Sequence, residues 1–173
     1  MAFGRTIDHL LFTIHQAMNV IRLPVQKMTR EAFAPYGLVL DRRGSVDVDI
    51  GMGVPSITGA TADPRPFKFD FMARHRHTMQ VFSPLAGSQA VICVAPPNGL
   101  DAPDVDKVVA FLVEGRLPYA YFRGTWHTPP FATGEWYSYL VVDRKGTLDE
   151  DLELVDVRAA RGCTFEIDLG AES

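Results

Sequence analysis

FKFDFMARHRH, residues 67–77, places Phe67, Phe69, Phe71 and Ala73 at every second position. Successive side chains on a β-strand point to opposite faces, so the odd positions of this stretch share one side and the even positions the other. The odd, apolar side is expected to be buried, and His75 and His77 continue it. Arg74 and Arg76 are then expected to point outward, with Arg74 serving a salt bridge or a subunit interface. Two imidazoles at i, i+2 on an inward strand face present their nitrogens to one point. That arrangement suits a divalent metal ion, for which imidazole is a common ligand. A third ligand has to come from elsewhere, and His127 in RGTWH (123–127) supplies it.

The same rhythm runs outward from this stretch. Fourteen glycines and twelve prolines punctuate short apolar segments along the whole chain, a pattern of strands and turns that favours an all-β barrel or sandwich. Strands are expected over roughly 38–41, 66–77, 79–84, 89–95, 118–123, 135–143, 152–157 and 163–169. One helix is expected over 102–115, APDVDKVVAFLVEG, where Val105, Val108, Val109 and Leu112 recur at helical spacing between Pro103 and Gly115. A shorter helix is expected in TREAFAPYG, with Thr29 as its cap and Gly37 as its stop.

A chain of 173 residues suits one domain with one good core. Residues 18–173 are expected to form it. Residues 1–17 are expected to be an N-terminal extension or to follow an upstream alternative start, with Met18 as a second start; Asp8 and His9 interrupt the apolar patch, unlike a signal peptide. The net charge of −4 argues against nucleic acid as a partner, because phosphate binding needs a concentrated positive surface. No apolar run approaches the roughly 20 residues of a membrane span, so no membrane partner is expected. Cys93 and Cys163 lie in apolar stretches without zinc-site or CxxC spacing, which points to buried free thiols in a reducing cytoplasm. Thirteen arginines against four lysines suit recognition of a small carboxylate, but GC-rich coding explains the excess equally simply and is the preferred reading.

His75-Arg76-His77, Gln80 and Gly87, followed by Gly115, Pro118 and Gly124-Thr125-Trp126-His127, resemble the two cupin motifs in outline. Gln80 stands where the cupin pattern has an acidic ligand. A closer resemblance runs from Met18 to Leu169. MNVIRLPVQKMTREAFAPYGLVL, RHRHTMQVFSPLAGSQAVICVAPP, VVAFLVEGRLPYAYFRGTWHTPPF and WYSYLVVDRKG together resemble the ureidoglycolate lyases. The matching positions are Arg74, His75, Gln80, Phe82, Pro84, Arg123, Trp126, His127 and Pro129. The resemblance implies a cupin-like double-stranded β-helix barrel with one or two short peripheral helices. It also implies a cytoplasmic homodimer that splits ureidoglycolate into glyoxylate and urea in allantoin and purine catabolism. Two positions depart from the family pattern: Ala73 stands where a glutamate commonly precedes the Arg-His pair, and His77 where many members have no histidine.

Such a lyase has three tasks: hold the carboxylate, take the proton of the central hydroxyl, and protonate the departing nitrogen. Arg123, at the end of the YAYFR strand, is expected to clamp the carboxylate through its bidentate fork. His75 and His127 are expected to carry the proton, with base and acid unassigned. Gln80, Tyr121 and Arg74 are expected to contact substrate, and Tyr119 shares the parity of Tyr121. With a divalent metal, His75, His77 and His127 become its ligands and Gln80 a weak ligand or orienter. Two alternatives follow. One is a metal-dependent cupin acting on another small hydroxy- or ureido-acid. The other is a non-catalytic cupin that binds a small carboxylate.

Overall fold

Alternating apolar patterns and closely spaced turns produce many short strands. The computed structural model describes residues 19–40, 45–85 and 87–170; the expected extension over 1–17 lies outside them. In chain order the first strands are β1 (Asn19–Lys27), β2 (Gly37–Val39), β3 (Pro55–Ala62), β4 (Lys68–Phe69), β5 (Phe71–Arg74), β6 (Gln80–Pro84) and β7 (Ala90–Ala95). There follow β8 (Val109–Val113), β9 (Tyr119–Tyr121), β10 (Trp126–His127), β11 (Phe131–Ala132), β12 (Tyr137–Arg144), β13 (Glu153–Asp156) and β14 (Cys163–Asp168). Three short helices accompany them: α1 (Arg30–Phe33), α2 (Thr147–Glu150) and α3 (Val157–Arg161). None of the helices among the described residues is long and apolar enough to cross a membrane.

The strands form two sheets that curl towards one another in a mainly β, cupin-like architecture. The larger sheet has the order β13-β5-β10-β7-β8-β1-β14-β4, with β11 also paired to β7; the smaller runs β2-β9-β6-β12-β3. β7, AVICVA, explains why the layers hold. All six of its residues are buried. Ala90, Ile92 and Val94 pack with Phe82, Phe111, Tyr119 and Tyr137 between the sheets, while Val91, Cys93 and Ala95 pack with Met72, Trp126 and Phe165 on the other face. A strand that feeds two cores has no polar alternation, as expected of a fully buried strand. Each large side chain buried this way stabilises the fold by roughly 1.5–3 kcal/mol relative to exposure.

The structure replaces the helix expected over 102–115 with a 3-10 turn, Val105–Lys107, and strand β8. The apolar run VVAFLV has too many β-branched residues to separate helix from strand by spacing alone. Pairing decides it: β8 lies antiparallel to β7 and parallel to β1. Gly115 ends a strand rather than a helix. Its φ is +72°, and a Cβ there would sit 2.3 Å from the Ser88 carbonyl oxygen. The shorter expected helix is present as α1, with the Thr29 hydroxyl accepting from the Ala32 N–H at 3.1 Å. Gly37 then opens β2, where a Cβ would lie 1.8 Å from the Ala120 carbonyl oxygen.

Candidate active site

A cavity of about 740 Å³ lies where β5, β10 and β13 of the larger sheet face β6, β12 and β3 of the smaller. That volume is in the usual range for a small-molecule site. His75, His127, Gln80 and Asp143 line it, together with the cationic Arg65, Lys68 and Arg144.

His75 reaches the cavity because Ala73 and His75 share a face of the chain through β5, as the alternation predicts. At Met72 and Arg74, however, the even face is not solvent-exposed. Met72 and Arg74 point into the second core layer, and Arg74 is fully buried. Its guanidinium carbon lies 4.1 Å from the centroid of the Trp126 ring, its Nε donates to Glu153 Oε2 at 2.7 Å, and its Nη1 donates to the Asn98 carbonyl at 3.1 Å. Glu153 is directly opposite Arg74 across the β5–β13 ladder and also pairs with Arg76. The outward orientation expected of Arg74 is thus corrected. A salt bridge and an aromatic face offset the cost of burying its charge, and it lies behind the cavity wall rather than on it.

His77 is also corrected, because alternation persists only as long as the strand. β5 ends at Arg74. The buried Asp151 carboxylate then accepts from the backbone N–H groups of Arg76 and His77, both at 2.9 Å, and bends the chain. The His77 side chain swings out to 69% exposure, with Nε2 4.0 Å from Asp151 Oδ1. His75 and His127 come together without it, their ring centroids 5.3 Å apart.

Both of these rings are fixed. His75 Nδ1 lies 3.0 Å from the Asp151 carbonyl, and His127 Nδ1 lies 2.9 Å from the Thr125 carbonyl. A carbonyl only accepts, so each neutral ring carries its proton on Nδ1 and leaves Nε2 bare. Burial is the main reason that both rings stay neutral. It lowers the His75 pKa, opposed by the Asp151 carbonyl and by the charges of Asp151 and Asp143. In His127, burial and the neighbouring His75 act together and lower the pKa to about 3. Tyr121 is buried and stacks on His127 at 4.6 Å between centroids, so it backs the imidazole instead of lining the cavity. Tyr119 is packed in the core beside it.

Arg123 lies outside the cavity. It follows the end of β9 and pairs with Asp49 in a separate surface cleft with Arg76 and Asn98. The arginine that does line the cavity, Arg65, was not singled out by its sequence context, the turn-like DPRP (63–66). Its guanidinium carbon stands 3.7 Å above the Phe131 ring centroid, and Nη2 donates to the Pro129 carbonyl at 2.6 Å. Among the described residues, no carboxylate pairs with it. Arg144, by contrast, is 3.4 Å from Glu150. Gln80 is buried on the cavity wall, with Nε2 donating to Asp143 Oδ2 at 3.1 Å. Asp143 and Asp151 carry no motif of their own in the sequence; only the strand pairing brings them here.

Metal-binding histidines are likewise held through the ring nitrogen that does not touch the metal, by a carbonyl or carboxylate acceptor. The donor set is nevertheless short. Among the described residues, no group of three or more His, Cys, Asp or Glu side chains is placed to hold a metal ion, and His77 points away.

Comparison with known proteins agrees with this architecture. The family model for ureidoglycolate lyase matches residues 51–161. The ureidoglycolate lyase of Burkholderia mallei is 32% identical over 144 residues, covering 72% of this chain and 83% of its own length. That of Pseudomonas savastanoi pv. phaseolicola is 34% identical over 145 residues, with 72% and 84% covered. The Azotobacter vinelandii enzyme is 34% identical over 144 residues, with 72% and 86% covered. The matched span contains both cavity histidines, Arg65, Gln80 and Asp143, and the chain belongs to the ureidoglycolate lyase family.

Proposed function

We propose that this protein cleaves ureidoglycolate to glyoxylate and urea by proton transfer on histidine, without a metal step. The observation that carries this reading is the pair of neutral imidazoles, His75 and His127, locked through Nδ1 and sharing one cavity with the Arg65 guanidinium, which no carboxylate among the described residues pairs. Arg65 binds the substrate carboxylate. Phe131 and Pro129 hold its fork in place before substrate arrives, so little side-chain freedom is lost on binding.

The reaction moves one proton. The hydroxyl O–H bond breaks, its electrons form the new C=O of glyoxylate, the C–N bond breaks, and the urea nitrogen gains the proton. A single base that accepts and then returns the proton completes the cycle. His75 fits that role better than His127. Two nearby carboxylates, Asp151 and Asp143, favour its cation, whereas at His127 burial and the neighbouring His75 both oppose one. His127 therefore stays neutral and accepts a hydrogen bond at Nε2, orienting the substrate.

The family's role implies action in allantoin breakdown, and two buried free thiols suit a reducing cytoplasm. A homodimer is part of the same reading. Phe71, Leu148, Leu152 and Leu154 are exposed around the cavity, and a second copy would cover this apolar rim.

Release of glyoxylate and urea from racemic ureidoglycolate, above the uncatalysed background and with or without a chelator, tests the proposal. Equimolar products at a rate indifferent to chelator are expected. Turnover abolished by chelator would transfer His75 and His127 to a metal, and no turnover would remove the lyase assignment.

A further inference from the structure

Within the cavity, Gln80 and Asp143 form a hydrogen-bonded polar pair; the Asp143 charge favours the His75 cation, but the free acceptor atoms of the pair take no part in the proton transfer. They are cross-strand neighbours, one step beyond the last β6–β12 pair, Val142 and Val81. Both are buried. A carboxylate only accepts, so the Gln80 amide must donate its Nε2 hydrogen to Asp143 Oδ2, and this fixes the orientation of the amide. Among the described residues, Gln80 Oε1 is left buried with no hydrogen-bond partner. An orphaned acceptor in a buried site is costly, and a ligand that brings an N–H removes the cost. Asp143 Oδ1 is a second acceptor on the same pair.

We propose that Gln80 and Asp143 recognise the carbamoyl end of the substrate. Gln80 Oε1 and Asp143 accept hydrogen bonds from the terminal amino group of the ureido moiety, while Arg65 holds the carboxylate at the other end. The inference rests on the reading of this cavity as the substrate site. It makes the pair a specificity device: compounds that carry a methyl group in place of the terminal amino group leave the acceptors unpaired and bind poorly. Discrimination against a missing hydrogen-bonding group is much stronger than discrimination by shape.

Two stable ligands separate this idea from the lyase reading. N-carbamoylglycine and N-acetylglycine differ only in an amino group against a methyl group, and neither carries the hydroxyl that the reaction needs. Calorimetric titration of the full chain with each is expected to give at least about tenfold tighter binding of the carbamoyl compound. In Gln80→Met this preference is expected to shrink about tenfold, with N-acetylglycine affinity within about twofold of wild type. Equal affinities in the wild-type protein would overturn the proposal, whether or not the variant folds. So would a Gln80→Met protein that weakens both ligands equally, the mark of a merely structural role. The lyase reading fails separately, by absence of glyoxylate release from ureidoglycolate.

Discussion

At His127, burial and the nearby His75 both oppose a positive charge, and the pKa falls from its ordinary 6.5 to about 3. The unfolded chain therefore takes this proton first as the pH falls. Stability is unaffected above about pH 6.5 and declines as the pH drops towards 3, by up to about 1.4 kcal/mol per unit from this residue. His75, also lowered, adds a loss of the same sign. Urea unfolding midpoints measured between pH 7 and pH 5 are expected to fall in the wild-type protein and to fall less in His127→Asn. An equal slope in both would show that His127 is not buried neutral. At this scale the sequence was partly legible. His75, His127 and Gln80 followed from strand parity and motif order. Arg65 did not, because its value comes from Phe131 and Pro129, more than sixty residues away. The outward turn of His77 lies beyond strand parity, because the residue that causes it, Asp151, is equally remote in sequence.

Short apolar segments were legible as strands wherever turn residues bounded them, as in β6, β7, β9, β12, β13 and β14. β8 was not, since its valines satisfy helical and strand spacing alike and only its neighbours β7 and β1 decide between them. Strand β1 was also missed. Its register changes partner from β14 to β8 at Pro24, which lacks the N–H for a continuous ladder. The ends of the sheets carry the subunit argument. β13 and β3 are edge strands, and exposed edges with apolar side chains favour pairing with another chain. Ile57 on β3 is 71% exposed and does not line the cavity. Sedimentation equilibrium is expected to give a dimer for the wild-type chain and a shift towards monomer for Ile57→Lys. A monomeric wild-type protein would remove the dimer from the account.

For the whole molecule, the fold class was readable from composition and rhythm, whereas the full set of residues lining the cavity was not. Two sheets that close incompletely leave a cavity between their ends, and that gap brings residues 65, 75, 80, 127 and 143 together from five separate segments. Arg123 carries a family motif and a suitable charge, yet the closure of the barrel leaves it in another cleft. Steady-state kinetics of ureidoglycolate cleavage separates the roles of His75, Arg65 and Arg123. His75→Asn is expected to lower kcat by about 100-fold or more with little change in KM. Arg65→Met is expected to raise KM by about 10- to 100-fold, and Arg123→Met to leave both within about threefold. Full activity in His75→Asn and Arg65→Met, with loss confined to Arg123→Met, would contradict the account and move the site to the other cleft.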